Sequence, residues 1–156
     1  MARAAKQRDG ILLGRLGEAL GFRLRRVQNQ LSRDFQDRSK RWDLRSGMFS
    51  ALEIIRANPG ISQTDLAREI GMDKSVIVSL IDDLERRDWT VRERSGTDRR
   101  RYQLLITPAG EEAVATLVDN MLHVEHIGLA ALTPEEREVL IRALDKVYRA
   151  YVRPLA

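Results

Sequence analysis

The chain has no cysteine. Disulfides, thiolate metal sites and thiol-based redox sensing are therefore excluded. Histidine is scarce: the only two, His123 and His126, flank Val124 and Glu125. A zinc site would need further ligands, and the sequence offers no convincing cluster, so the pair is taken as ordinary helix histidines, with a metal-responsive protein as the alternative. No apolar run approaches the ~18 residues of a membrane-crossing helix, and no signal-peptide pattern opens the chain. A soluble cytoplasmic protein with no membrane contact is expected. Catalytic parts are missing as well: there is no thiol nucleophile, no glycine-rich phosphate loop after a strand, and no Ser-His-acid set in a recognisable context. Neither enzymatic activity nor a cofactor is expected.

Charge, by contrast, is plentiful and unevenly placed. The 156 residues carry a net charge of +4. From Thr107 to Asp145 there are eight acids and two arginines, a net of −6, so the remainder carries +10. Such separation is expected of a nucleic-acid binder. The length suits one domain spanning 1–156 with room for a core. Met1 to Gly10 holds Arg3, Lys6 and Arg8 without an apolar pattern. A solvated terminus is the preferred interpretation there, over a basic arm that touches DNA phosphates.

The rest is organised around Ser62 to Thr107. Ser62 and Asp65 have capping-box spacing; Leu66, Ala67 and Ile70 supply an apolar stripe, and Gly71 ends the helix. Asp73 can cap a second helix bearing Ile77, Leu80, Ile81 and Leu84. Helices joined so closely form a helix-turn-helix. Beyond Arg87 the period changes: Trp89 and Val91, then Tyr102, Leu104 and Ile106, alternate as in half-buried strands. The turn Ser95-Gly96-Thr97-Asp98 leads into Arg99, Arg100 and Arg101, and Glu85 to Arg101 holds seven arginines against four acids. A cationic hairpin beside a helix-turn-helix is a winged helix suited to a polyanion.

Helices flank this stretch. Leu13, Leu16, Leu20, Leu24, Val27, Leu31 and Phe35 predict one long amphipathic helix, too long for a small winged domain to cover alone, so a partner chain is expected against it, with a purely intrachain seam as the alternative. Asp43 to Pro59 predicts another, through Met48, Phe49, Leu52 and Ile55. Trp42, Met48 and Phe49 could floor a pocket for an aromatic ligand, although core packing is the commoner duty of such residues. A third helix follows Thr107-Pro108, and Thr133-Pro134-Glu135-Glu136 opens a fourth bearing Leu140, Leu144, Val147 and Tyr151.

The order of these elements, and the segment SGTDRRRYQLLITPAG above all, resembles the multiple-antibiotic-resistance regulator (MarR) family of bacterial transcription factors. The matching residues are Asp98 and Arg100 in the wing, then Ile106, Thr107 and Gly110; KSVIVSLIDDLE resembles the family's recognition helix. The resemblance runs from about Leu13 to the end. It implies a mainly α fold with a small β-wing: a winged helix-turn-helix over 44–106, with dimerisation helices over 11–39 and 107–153. It implies double-stranded DNA and a second copy of the chain as partners, and a small aromatic or anionic effector. Lys74, Ser75, Val76 and Ser79 would meet DNA from the recognition helix, with Asp73 a cap. Arg100 would enter the minor groove, Asp98 would hold the loop's shape by pairing with an arginine, and Arg99 and Arg101 would serve phosphates. Val76 stands where Thr is usual, Ser79 where Arg is usual, and Asp88 where Gly is usual. The implied function is a ligand-responsive homodimeric repressor on a pseudo-palindromic operator. A winged helix used as a protein-interaction module is the further alternative.

Overall fold

The computed structural model describes residues 11–94 and 102–152. Six α-helices and one hairpin follow in order: α1 Leu20–Arg38, α2 Met48–Ala57, α3 Gln63–Ile70, α4 Lys74–Arg86, β1 Thr90–Arg94, β2 Tyr102–Ile106, α5 Pro108–Leu129 and α6 Pro134–Val152. The mainly helical class with a small β-wing is thus present. Contacts divide the chain into two compact units, one running through Asn120 and the other from Met121.

The core of the first unit gathers Met48, Ala51, Leu52 and Ile55 of α2, Leu66 and Ala67 of α3, and Ile77, Leu80, Ile81 and Leu84 of α4. Trp89, Leu104, Ala113 and Val114 complete it. Of the positions predicted from helical spacing in α2, α3 and α4, all are buried except Phe49 and Ile70, which are half-buried, and Ala51 joins the core unannounced.

Local chemistry sets the ends of these helices. The Ser62 hydroxyl accepts the Asp65 N–H at 3.1 Å and donates to the Asp65 carboxylate at 2.7 Å, so the predicted cap of α3 is made. Gly71 takes φ +73°, and the Met72 N–H returns to the Ala67 carbonyl at 3.0 Å, closing the helix as a Schellman turn. Asp88 also lies at positive φ, 57°, so an aspartate does fill the left-handed turn after α4. At the start of α6 the Thr133 hydroxyl accepts the Glu136 N–H at 3.2 Å, and the Glu136 carboxylate accepts the Thr133 N–H at 2.9 Å, a complete capping box.

Three expectations need correcting. The first helix does not run unbroken from Leu13: a 3-10 turn spans Gly14–Glu18, and Ala19 is extended at ψ 117°, so α1 begins at Leu20. Gly14 at φ +54° and Gly17 favour that local departure over a continuous helix. The second helix starts at Met48, because Asp43 and Gly47 both adopt left-handed backbone, which no α-helix can contain. Asp73 occupies the N-cap position of α4, but its side chain accepts no capping bond.

Candidate nucleic-acid interface

The first turn of α4 faces outward. Lys74, Ser75 and Val76 are exposed there, followed by Val78 and Ser79, while Ile77, Leu80 and Ile81 are buried beneath. The helix therefore presents one polar and small-apolar face and anchors the other in the core. All four positions expected to meet DNA from this helix lie on the open face. Val78, which spacing alone did not single out, joins them at 41% exposure. Hydroxyls and a lysine can pair with phosphates or base edges, and a valine methyl can meet a thymine methyl.

The hairpin pairs Thr90 with Ile106, Arg92 with Leu104, and Arg94 with Tyr102. Paired residues share a face, so Thr90 and Arg92 lie on the side of buried Leu104. Val91 pairs with Leu105 on the opposite side. Val91 is half-buried there, and the fully buried residue of β1 is Thr90. Arg92, on the same side as Thr90, is held by carboxylates of α4. Its Nη2 meets Asp82 at 2.6 Å, its Nη1 pairs with Glu85, and its backbone N–H donates to Glu85 at 3.0 Å. A planar guanidinium can bridge two carboxylates without distortion. Sequence patterning missed this clamp because an arginine in a strand looks solvent-facing. Asp98, Arg99, Arg100 and Arg101 lie outside the described residues.

A second arginine joins the connection before α2 to the same helix. Arg45 Nη1 donates to Ser79 Oγ at 3.2 Å and pairs with Asp83, whose other oxygen pairs with Arg86. Asp83 is only 7% exposed. Arg87 reaches back in a similar manner, donating to the carbonyls of Trp42 at 2.6 Å and Asp43 at 2.8 Å and lying over the Trp89 ring. These links cross more than thirty residues of chain, and no local pattern announces them.

The residues suggested for an aromatic pocket separate by depth. Met48 is fully buried in the core. Phe49 is half-buried against Phe35, with ring centroids 5.2 Å apart. Trp42 is half-buried edge-on to Trp89 at 5.5 Å, with the Arg41 guanidinium over its ring, and its indole N–H is buried without a hydrogen-bond partner. His123 and His126 are exposed, and among the described residues no group of three or more His, Asp or Glu is placed to hold a metal. No described helix is long and apolar enough to cross a membrane.

A family model described as the MarR family matches residues 46–101, from just before α2 through Arg101. A Thauera aromatica protein assigned to regulation of the hcr operon is 36% identical over 137 residues, spanning 87% of this chain and 82% of that relative. The chain belongs to the MarR family. Among solved structures, the transcriptional repressor CouR bound to a 23-mer DNA duplex superposes with a TM-score of 0.81 at 31% identity, covering 89% of this MarR-family chain and 99% of CouR. CouR bound to p-coumaroyl-CoA gives a TM-score of 0.78 at 29% identity over 89% and 98% of the two chains. The protein is accordingly a DNA-binding transcription regulator of the MarR type, with a winged-helix fold, and not an enzyme.

Proposed function

We propose that this MarR-family protein is a cytoplasmic, ligand-responsive homodimeric repressor that binds a pseudo-palindromic operator. The observation that carries this proposal is its likeness, at 31% and 29% identity, to one repressor in a DNA-bound and an acyl-CoA-bound form. On that basis the effector is a small aromatic acid or its coenzyme A thioester, which is both aromatic and anionic. Lys74, Ser75, Val76 and Ser79 enter the major groove. Arg100 reaches the adjoining minor groove, Arg99 and Arg101 meet phosphates, and Asp98 fixes the wing's shape. The single domain of 1–156 then divides into a winged helix-turn-helix over 44–106 and dimerisation helices over 11–39 and 107–153.

Surface chemistry supports the dimer. No residue of α1 is buried, and Leu20, Leu24 and Val27 are 53%, 38% and 59% exposed. On α6, Val139, Leu140, Ile141 and Leu144 are exposed as well. Apolar rows of this kind are ordinarily covered by a partner. For the effector, half-buried Trp42 and Phe49 offer aromatic surface, Trp42 packs against the core that holds Met48, and the unpaired Trp42 indole N–H would gain a ligand acceptor. Effector binding must favour one conformation over the other to release DNA; equal affinity for both would shift nothing.

The test uses a labelled duplex from the protein's own upstream region, titrated with p-coumaroyl-CoA, p-coumarate and coenzyme A. An aromatic acid or thioester should weaken DNA binding at least ten-fold and change the emission of Trp42 and Trp89, the chain's two tryptophans. Coenzyme A alone should do neither. If neither aromatic compound alters DNA affinity or emission, the proposed effector class is wrong.

A further inference from the structure

Ser79 stands on the open face of the recognition helix, where a hydroxyl supplies one short donor and no charge. The structure brings a cation to that point from elsewhere. Arg45, in the connection between α1 and α2, donates through Nη1 to Ser79 Oγ at 3.2 Å and pairs with Asp83 one turn further along α4. Its side chain is nevertheless 53% exposed. Guanidinium carries five N–H donors in a rigid fork, and among the described residues only Nη1 of Arg45 is engaged.

The charge around Asp83 completes the argument. Its carboxylate, 9% exposed, is shared between Arg45 and Arg86, whose side chains are 53% and 71% exposed. Two guanidiniums on one carboxylate leave the cluster net positive. Asp83 therefore orients the arginines without cancelling them, and the half-exposed guanidinium of Arg45 sits beside Ser79 with donors to spare. An anion approaching the open face of α4 meets them.

We propose that Arg45, oriented by Asp83 and Ser79, is a DNA-contacting residue that binds a backbone phosphate at the edge of the major groove, and that Asp83 is its positioning residue. This rests on DNA binding through α4 and adds a contact from outside both the helix-turn-helix and the wing. It gives the helix a cation where Ser79 itself has none.

The experiment compares wild type, Arg45→Gln and the double variant Arg45→Gln, Ser79→Arg on one duplex of about 30 base pairs, cut from the footprint of the wild-type protein on its own upstream DNA. Binding is followed across a salt series. Glutamine keeps a donor for Ser79 while removing the charge, and Arg86 still serves Asp83. Arg45→Gln should bind roughly ten-fold more weakly, with the slope of log affinity against log salt shallower by about one per bound protomer. Ser79→Arg in that background should restore the slope. A folded Arg45→Gln protein with the wild-type slope overturns the proposal, even if its affinity falls. If Arg45→Gln does not fold, phenylglyoxal modification of the wild-type protein decides by mass spectrometry. Protection of Arg45 by the duplex supports the contact, and equal modification with and without DNA overturns it. Failure of the wild type to bind any upstream duplex would instead strike the regulator assignment.

Discussion

Gly110 has no room for a side chain. A Cβ there would lie 2.2 Å from the Trp89 carbonyl oxygen and 2.8 Å from Ile106 Cγ1. That carbonyl cannot easily retreat, since it already accepts the Thr107 N–H at 3.0 Å. Thr107 in turn accepts the Gly110 N–H on its hydroxyl at 3.0 Å, capping α5. The Ile-Thr-x-x-Gly run of the sequence thus has a physical reason: threonine starts the helix, and glycine lets it begin against the turn before β1. Gly110→Ala should destabilise the fold by about 1–3 kcal/mol, as overpacking against fixed backbone does. Urea denaturation checks this, and a midpoint equal to wild type would show that the turn yields freely. This much was legible because the motif is local. Arg45 and Asp83 were not, because 38 residues separate them and neither has a distinctive neighbour. The wing residues Asp98 to Arg101 are named from sequence alone and lie outside the described residues.

Among the elements, the helices were the more legible. Ser62, Gly71 and Thr133 each perform the end-of-helix duty that their spacing suggested. Asp73 shows the limit, because the right residue at a cap position need not make the cap bond. Around β1 the alternation identified buried Trp89 and half-buried Val91 but not the inward placement of Thr90 and Arg92. Asp82 and Glu85 of α4 draw Arg92 to the inner side. Strand β1 is therefore fastened to the recognition helix by ion pairs, while Leu104 anchors β2 in the shared core. Removing the guanidinium leaves two carboxylates facing each other across a partly buried site. Arg92→Ala should lower unfolding free energy by about 1–3 kcal/mol, whereas Val91→Thr should cost less than about 0.5 kcal/mol. Chemical denaturation of the two variants is the check, and the reverse ranking would mean that β1 sits in the other register.

For the whole molecule, the lack of cysteine and of catalytic sets narrowed the function before any fold was known. The uneven charge then pointed to a polyanion. What the sequence could not supply is the assembly, because a solvent-facing apolar row and a partner-facing one have the same spacing. The exposed leucines of α1 and the exposed apolar residues of α6 now make a covering partner the physical expectation. Two copies related by a two-fold axis would present two α4 helices to DNA, about one helical turn apart. Hydroxyl-radical and methylation footprinting of the protein's upstream DNA measures this directly. The expected result is two protected major-groove segments on one face of the duplex, centred roughly 10–11 base pairs apart or a whole-turn multiple of that, with two protomers bound per site. A single protected segment with one protomer bound, or protection that follows no helical repeat, would contradict a dimer reading DNA through paired recognition helices.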